Sequence, residues 1–222
     1  MKHLRLMAET ARDAQHHNAL PFLPFLSPFL EHMYSQVTLL APQLDPAEPQ
    51  APIPLEECEL YLVACMLFLK NVLEASAYRE SKSAVAYSVC QSFFTCERAV
   101  ALCQLLISRY LVFHVDALQE WEQEPEVFLA EIETSDWEHH AAPCAEALYL
   151  ELIKYMRGEI ARQVIESLES TLQNPSVELS HVLLRDACYR AIGISNNELY
   201  DYIPFDRWFQ HMVQDMQNPH PS

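Results

Sequence analysis

Glycine is almost missing from this sequence, since only 2 of its 222 residues are Gly. Sheet proteins depend on glycine for hairpin turns and bulges, so this scarcity disfavours a β-rich fold. It also excludes a glycine-rich phosphate-binding loop. Because Ala, Leu, Glu and Gln are abundant, the composition predicts an all-α protein.

Positive charge is also scarce. Lys and Arg total 14 against 31 Asp and Glu, which gives a formal net charge of -17 at pH 7. A field of this sign disfavours nucleic acid and anionic lipid and attracts basic proteins. The strongest apolar run, residues 60–69, is only ten residues long, too short to cross a bilayer. We therefore expect no nucleic-acid partner and no membrane insertion.

Sequence signatures of a reactive or metal-binding centre are absent as well. The 7 cysteines include no Cys-x-x-Cys pair and lie mostly in apolar stretches, which is typical of reduced core thiols in a cytosolic or nuclear protein. His139 and His140 precede Cys144, but their spacing matches no zinc pattern. No G-x-S-x-G or H-E-x-x-H motif occurs, so we expect no metal, no cofactor and no catalytic residue.

Apolar periodicity predicts a succession of helices. Pro21, Pro24 and Pro28 are expected in a loop or a first turn, because proline disrupts a helix interior. Gly158, in the left-handed conformation, and Gly193 are expected to end two helices. The predicted helices span residues 2–18, 28–40, 55–77, 96–113, 116–123, 143–157, 160–172, 175–192 and a last helix from about 204, with short helices within 78–94, 125–136 and 195–198.

Capping residues mark several of these helix starts. Thr95 is a candidate N-cap, and Asp116 with Gln119 has the spacing of a capping box. Pro143 suits the first position of its helix. The segment that follows Gly158 is expected to pack antiparallel to the segment before it, because their connection is so short.

Helical hairpins recur along the chain, at about 36 residues in its second half, which is typical of a helical solenoid. We predict about four hairpins in one continuous unit. The expected divisions are a first hairpin with a proline-rich connector at 1–54, a hairpin at 55–114, an acidic connector at 115–142, two hairpins at 143–217 and a disordered tail at 218–222.

The acidic connector lies within the most unusual stretch of the chain, residues 110–153, which holds eleven carboxylates and no Lys or Arg. A desolvated row of carboxylates suits Lys- and Arg-rich surfaces, so we interpret the connector as a partner-binding segment. A connector that is merely solvated is an equally open alternative. The candidate contacts are Glu120, Glu122, Glu124, Glu126, Glu131, Glu133, Asp136 and Glu138.

Aromatic residues punctuate the connector and the last predicted helix. We expect Trp121, Phe128, Trp137 and Trp208 to act as structural anchors that pack against the scaffold. A helical enzyme with a carboxylate site is the catalytic alternative. Such a site should bind a divalent metal tightly and lose it when Glu122 and Glu126 are changed to Gln.

The motif order resembles the importin-β (karyopherin) superfamily. The run WEQEPEVF at 121–128 is followed by Trp137 and by PCAEAL at 143–148, an order found where one repeat of that superfamily gives way to the next. The motifs LLRDA at 183–187, AIG at 191–193 and FDRWF at 205–209 look most like its importin-11 branch. The resemblance implies a HEAT-repeat α-solenoid with hairpins of HEAT type.

The resemblance also implies a function. Members are nuclear transport receptors and not enzymes. They bind cargo and the GTP form of Ran and import proteins into the nucleus. They shuttle between nucleus and cytoplasm and are also found at the nuclear envelope. Basic cargo proteins and Phe-Gly nucleoporins are the other expected partners. The apolar stripes on helices 96–113 and 157–172 could expose grooves for the nucleoporins, but core packing is the favoured role of these stripes. Such receptors are several times longer, so we expect an internal segment of a receptor. A HEAT-repeat scaffold of a regulatory complex without transport activity is the alternative.

Overall fold

A computed structural model describes residues 1–41, 55–113, 115–134, 136–174 and 176–217. Within these ranges the α-helices are α1 (Lys2–His17), α2 (Ala19–Leu40), α3 (Leu55–Glu74), α4 (Ala84–Phe93), α5 (Cys96–Leu105), α6 (Val115–Gln123), α7 (Pro125–Thr134), α8 (Ala141–Leu172), α9 (Leu179–Leu199) and α10 (Phe205–Gln217). A 3-10 turn (Ser76–Tyr78) and a π-helical turn (Leu106–Tyr110) complete the described elements. The all-α prediction is confirmed. No described helix has the length and apolar character needed to cross a membrane.

Helix α3 lies at the centre of the core. Every residue from 61 to 70 is buried, because α3 is covered by α1 and α2 and by α8. This burial on all sides explains why its sequence shows a continuous apolar run rather than a stripe. Tyr61 and Phe68 are among the largest side chains that are fully enclosed. The predicted buried helix is confirmed.

Helix α2 corrects the prediction for the three prolines. It is continuous from Ala19 to Leu40, with Pro24 and Pro28 inside it and Pro21 in its first turn. The three prolines lie at spacings of three and four residues and all are exposed. They therefore share one solvent-facing stripe, where water can satisfy the carbonyl groups that proline leaves unpaired. The opposite stripe is buried at Phe22, Leu26, Leu30, Met33 and Val37.

Helix α8 folds back on itself at Met156, whose backbone angles are non-helical (φ -122°, ψ 20°). Its first part, residues 141–155, runs alongside α9, and its second part, residues 157–172, returns past the start of α9. Three contacts with α9 or the residues just after it show this reversal: Glu146 with Arg190, Arg157 with Asp201, and Thr171 with Cys188. The predicted antiparallel pair is confirmed.

The glycine predictions were wrong. The reversal in α8 occurs at Met156, two residues before Gly158, and no glycine has a positive φ. Gly193 lies inside α9, which continues to Leu199. A Cβ atom would meet nothing within 4 Å at either glycine. Neither position therefore requires glycine for a turn or for a close approach.

The predicted N-cap of α5 forms, but α6 and α8 begin earlier in the chain than predicted. The Thr95 side chain accepts a hydrogen bond from the backbone N–H of Arg98 at 3.2 Å, as expected for an N-cap. Helix α6 begins at Val115, so Asp116 lies in its first turn rather than before it. Helix α8 begins two residues before Pro143. Helix ends are the least certain part of a pattern-based prediction because neighbouring segments shift them.

The hairpins stack as a solenoid. In chain order, α1 and α2 are the first pair, α3 with α4 and α5 is the second, the two parts of α8 are the third, and α9 with α10 is the fourth. Neighbouring pairs are in contact, since α1 and α2 pack on α3, and α3 and α5 pack on α8. One hydrophobic core runs through all of them. The fold prediction of about four hairpins is confirmed. The proline-rich connector at 42–54 and the tail at 218–222 lie outside the described residues.

Candidate functional site

The acidic connector is largely helical. Helices α6 and α7 meet at Glu124, whose backbone N–H donates to the carbonyl of Glu120 at 2.8 Å. The carbonyl of Glu124 in turn accepts from the N–H of Phe128 at 3.0 Å, so the chain passes Pro125 with its hydrogen bonds kept. Helix α7 has ten residues and lies within the range 125–136, where a short helix is predicted. The carboxylates are therefore placed on regular backbone.

Six of the eight candidate carboxylates lie at the surface. Every residue from 119 to 127 is exposed. Among the described ion pairs of the chain, none involves a carboxylate of α6 or α7. Glu131 and Glu133 belong to α7, but their side chains lie outside the described part of the structure. The exposed candidates are Glu120, Glu122, Glu124, Glu126, Asp136 and Glu138.

An aromatic chain attaches the first half of the connector to the scaffold. The Trp121 ring meets the Phe128 ring edge-on, with centroids 5.7 Å apart. Phe128 contacts Phe113 at 6.1 Å, and the guanidinium of Arg190 lies 5.4 Å from the centre of the Phe113 ring. Arg190 belongs to α9 and also pairs with Glu146 of α8. The connector is therefore held through Phe113, whose ring contacts Phe128 on one side and the Arg190 cation of α9 on the other.

A second cation–π contact holds the other end of the connector. The Nζ atom of Lys70 lies 4.6 Å from the centre of the Trp137 ring and donates to Glu74 Oε1 at 2.7 Å. Lys70 is a buried residue of α3. Nearby, Glu59 of α3 accepts a hydrogen bond from the N–H of Ala141 at 2.9 Å, which satisfies the first amide of α8. Trp137 keeps 41% of its surface exposed.

Asp136 organises the turn between α7 and α8. The backbone N–H of Glu138 donates to its Oδ1 at 2.9 Å, and Nδ1 of His139 lies 3.2 Å from its Oδ2. These contacts, with the backbone hydrogen bond as the largest cause, lower the pKa of Asp136. The turn therefore keeps a charged carboxylate beside Trp137.

The structure does not bring His139, His140 and Cys144 together. Both histidines are exposed, while Cys144 is fully buried. The Cys144 thiol points toward the carbonyl of Val63 at 3.7 Å, and burial raises its pKa to about 12. In the described ranges no three such side chains converge as metal ligands. The exposed glutamates likewise form no enclosed pair for acid–base chemistry.

The predicted aromatic anchors differ in burial. Trp208 is 5% exposed, and its Nε1 donates to Glu169 Oε1 at 3.3 Å. Trp121 is 44% exposed, so it is anchored on one side only. The stripes on residues 96–113 and 157–172 are core, the role favoured from the sequence, since their members are buried: Cys103, Ile107 and Tyr110 on one, and Ile160, Val164 and Leu168 on the other.

Sequence reasoning missed the scaffold residues that hold the connector. Phe113 and Arg190 are 77 positions apart (190 minus 113), and no local pattern links them. In the sequence, Lys70 shows only that the apolar run at 60–69 has ended. A buried lysine next to an uninterrupted core segment was an available signal, because such a residue requires a partner.

Comparison with known proteins confirms the resemblance to the importin-β superfamily. Importin-11 of Homo sapiens is 29% identical over 166 residues, covering 70% of this chain and 17% of the relative. Importin beta-like protein kap113 of Schizosaccharomyces pombe is 24% identical over 152 residues, 68% of this chain and 15% of the relative. The chain thus spans less than a fifth of the length of these relatives. No protein-family model matches it.

A solved structure supports the fold. The structure of Lph2, a bidirectional nuclear transport receptor in S. cerevisiae, superposes with a TM-score of 0.81. The match covers 97% of this chain and 22% of that chain at 19% sequence identity. At this identity the likeness establishes the solenoid architecture.

Proposed function

We propose that this chain is a segment of an importin-11-like nuclear transport receptor, and that its acidic connector binds a basic surface of a protein partner. The partner is a basic cargo or the GTP form of Ran, and the working compartments are the nucleus and the cytoplasm. The role is binding, not catalysis. The similarity to importin-11 and kap113 supports the receptor assignment.

The observation that supports the binding role is that the exposed carboxylates lie on a segment that is fixed to the scaffold. Six of the candidate side chains are exposed. The connector is nevertheless attached to the scaffold at two points, because Phe128 contacts Phe113 and the Trp137 ring lies beside Lys70. A segment that is already fixed to the scaffold loses little conformational entropy when a partner binds, and its exposed carboxylates attract a basic partner electrostatically. A merely solvating linker would need no such attachment.

The experiment neutralises the connector without changing the length of any side chain. A variant with Glu120, Glu122, Glu124 and Glu126 all replaced by Gln is compared with the parent for binding to Ran, loaded with a non-hydrolysable GTP analogue or with GDP, and to a Lys/Arg-rich peptide. We expect peptide affinity to fall about tenfold or more at low salt, because each removed charge weakens several cationic contacts.

A matched control removes the same charge from the scaffold. Glu80, Glu97, Glu159 and Glu166 are exposed residues outside the connector, and their replacement by Gln should leave affinity close to that of the parent. Equal losses in both variants, or a flat response to added salt, would reject the connector as the contact. Binding that ignores the nucleotide on Ran would favour a HEAT-repeat scaffold without transport activity.

A further inference from the structure

Trp121 is more exposed than its role as an anchor explains. Its ring keeps 44% of its surface exposed, whereas Trp208 keeps 5%. The indole N–H of Trp208 donates to Glu169 Oε1 at 3.3 Å, but within the described part of the chain the indole N–H of Trp121 has no hydrogen-bond partner. An edge-on contact with Phe128 is the ring contact that fixes Trp121. Much of a large apolar ring is therefore left open to solvent.

The exposed ring belongs to an internal part of the helical stack. The connector joins the second pair of helices to the third. It is attached to elements of this chain, since Phe128 contacts Phe113 and the Trp137 ring lies beside Lys70. The exposure of Trp121 is therefore that of an internal connector and not that of a terminal hairpin.

Carboxylates surround Trp121. Glu120 and Glu122 are its neighbours in the chain, Glu124 follows it by three residues, and all three are exposed. The backbone N–H of Glu124 donates to the carbonyl of Glu120 at 2.8 Å, so the helical ladder continues to Glu124 and places it on the same face as Trp121. In the described structure none of these three carboxylates forms an ion pair. An aromatic ring and an available carboxylate thus share one face, called here the Trp121–Glu124 pair.

The same combination of ring and carboxylate holds cations elsewhere in the molecule. The guanidinium of Arg98 lies 4.4 Å from the centre of the Phe93 ring and donates to Glu31 Oε1 at 2.9 Å. Three further cations are each held by a ring and a carboxylate: Arg190 by Phe113 and Glu146, Arg157 by Tyr202 and Asp201, and Lys70 by Trp137 and Glu74. Three of these four cations are arginines. A ring beside a carboxylate is therefore a site at which this chain places a cation, most often a guanidinium.

We propose that the Trp121–Glu124 pair binds an arginine side chain of the basic partner, so that the connector prefers arginine-bearing segments to lysine-bearing ones. A planar guanidinium stacks on an indole and binds a carboxylate through two parallel hydrogen bonds, whereas the ammonium of lysine acts as a point charge. Glu120 and Glu122 add the negative field that attracts this cation. The proposal rests on the proposed binding role of the connector and names the chemistry of its partner. Trp121 becomes a contact residue and not only an anchor.

The test follows the indole of Trp121 in the full chain. The protein has 3 tryptophans, so isotope-labelled protein gives three indole N–H signals, and the signal missing in Trp121→Leu is that of Trp121. Two capped peptides of equal length and charge, Gly-Arg-Gly-Arg-Gly and Gly-Lys-Gly-Lys-Gly, are titrated. We expect the arginine peptide to shift the Trp121 signal and to bind about two- to fivefold more tightly than the lysine peptide, the range of an exposed cation–π contact.

Variants separate the ring from the charge. Trp121→Leu keeps an apolar side chain but removes the aromatic face, so the two peptides should then bind with equal affinity. Glu124→Gln keeps the ring and should weaken the arginine peptide by about two- to threefold. Matched controls are Phe25→Leu, which removes a ring that is 56% exposed on α2, and Glu166→Gln on α8. Both controls should keep the affinity of the parent and its preference for arginine.

Failure of this proposal can be told apart from failure of connector binding. If the connector binds both peptides equally well and Trp121→Leu changes neither affinity, the acidic connector stays the binding site but the Trp121–Glu124 pair is rejected as an arginine site. If neither peptide binds, or if the variant with four glutamines in the connector binds both like the parent, connector binding is rejected and this proposal with it.

Other occupants of the ring give different results, each of which would overturn the proposal. A Phe-Gly peptide that shifts the Trp121 signal more strongly than the arginine peptide would identify an apolar occupant. A shift that grows with protein concentration alone would identify a second copy of the chain. Circular dichroism of the variants confirms folding, and the comparison of the two peptides on the parent protein requires no variant.

Discussion

Helix α3 and the acidic connector are both helical, yet they are opposites in every other respect. All residues from 61 to 70 in α3 are buried, whereas all residues from 119 to 127 in the connector are exposed. Helix α3 packs against three other helices, while the connector is attached by two aromatic contacts, Phe128 with Phe113 and Trp137 with Lys70. The same helical backbone therefore stabilises the core where apolar neighbours surround it, and presents charged side chains to solvent where such neighbours are lacking.

The largest expected effect is on the α3 side. Phe68 is fully buried and contacts Phe22 and Phe29 of α2 at 5.9 and 6.1 Å between ring centroids. Phe68→Ala should lower the free energy of unfolding by about 3–5 kcal/mol, because it removes buried apolar area and leaves a cavity. Denaturant unfolding measures the loss. Trp121→Ala, which truncates a half-exposed ring of the connector, should cost below about 1.5 kcal/mol, and a comparable cost would remove the contrast.

Alkaline pH should also act on the core and not on the connector. Burial raises the pKa of the Cys103 thiol from 9.0 to about 12. The folded state therefore keeps a proton that the unfolded state loses above about pH 9, so stability is full below pH 9 and falls as the pH rises toward 12. One thiol that is protonated in the folded state and ionised in the unfolded state lowers the free energy of unfolding by about 1.4 kcal/mol per pH unit in this window.

The check is the unfolding free energy of parent and Cys103→Ala between pH 8 and 10.5, since the variant should show a shallower slope. The connector contains neither Cys nor Tyr between residues 115 and 142. Its helices should therefore keep their exchange pattern at pH values where the core weakens. An unchanged slope in Cys103→Ala would show that other groups, such as buried tyrosines, dominate the alkaline loss.

A smaller effect of opposite sign is expected in α2, which packs beside α3. Pro24 lies in the helix interior and leaves the carbonyl of Leu20 without its usual donor. Pro24→Ala should raise the unfolding free energy by about 1–2 kcal/mol, since the regained hydrogen bond exceeds the entropy that proline removes from the unfolded chain. Pro21→Ala is the matched control, because a first-turn proline interrupts no hydrogen bond. Equal effects at both positions would contradict this reasoning.

Local signals explain what the sequence predicts well. The uninterrupted apolar run of α3 can only be a buried helix in an all-α chain, and Thr95 places a hydroxyl where the first amides of α5 need an acceptor. Glu120 and Glu122 of α6 are exposed, as expected for charged side chains on a surface helix. In each case the residues that determine the structure are neighbours along the chain.

Tertiary contacts explain what the sequence predicts poorly. The prolines of α2 suggest a break, but the buried stripe from Phe22 to Val37 holds the helix together on its far side. Gly158 suggests a helix end, yet the reversal falls at Met156. The contact of Phe113 with Arg190 joins segments far apart in sequence. A sequence pattern carries no information about such partners until the fold brings them together.

The smallest expected effect lies where the two regions meet, at Lys70 and Trp137. Trp137→Ala removes an exposed ring face and one cation–π contact, so global stability should fall by only about 0.5–1.5 kcal/mol. Hydrogen exchange should nevertheless accelerate in α7 and the turn at 136–140 while α3 stays protected, because the contact fixes the connector and not the core. A double-mutant cycle with Lys70→Met isolates the pair, with an expected coupling of about 0.5–1 kcal/mol. If α3 and the connector lost protection together, the connector would be part of the cooperative core and the distinction between a buried scaffold and a mounted acidic surface would fail.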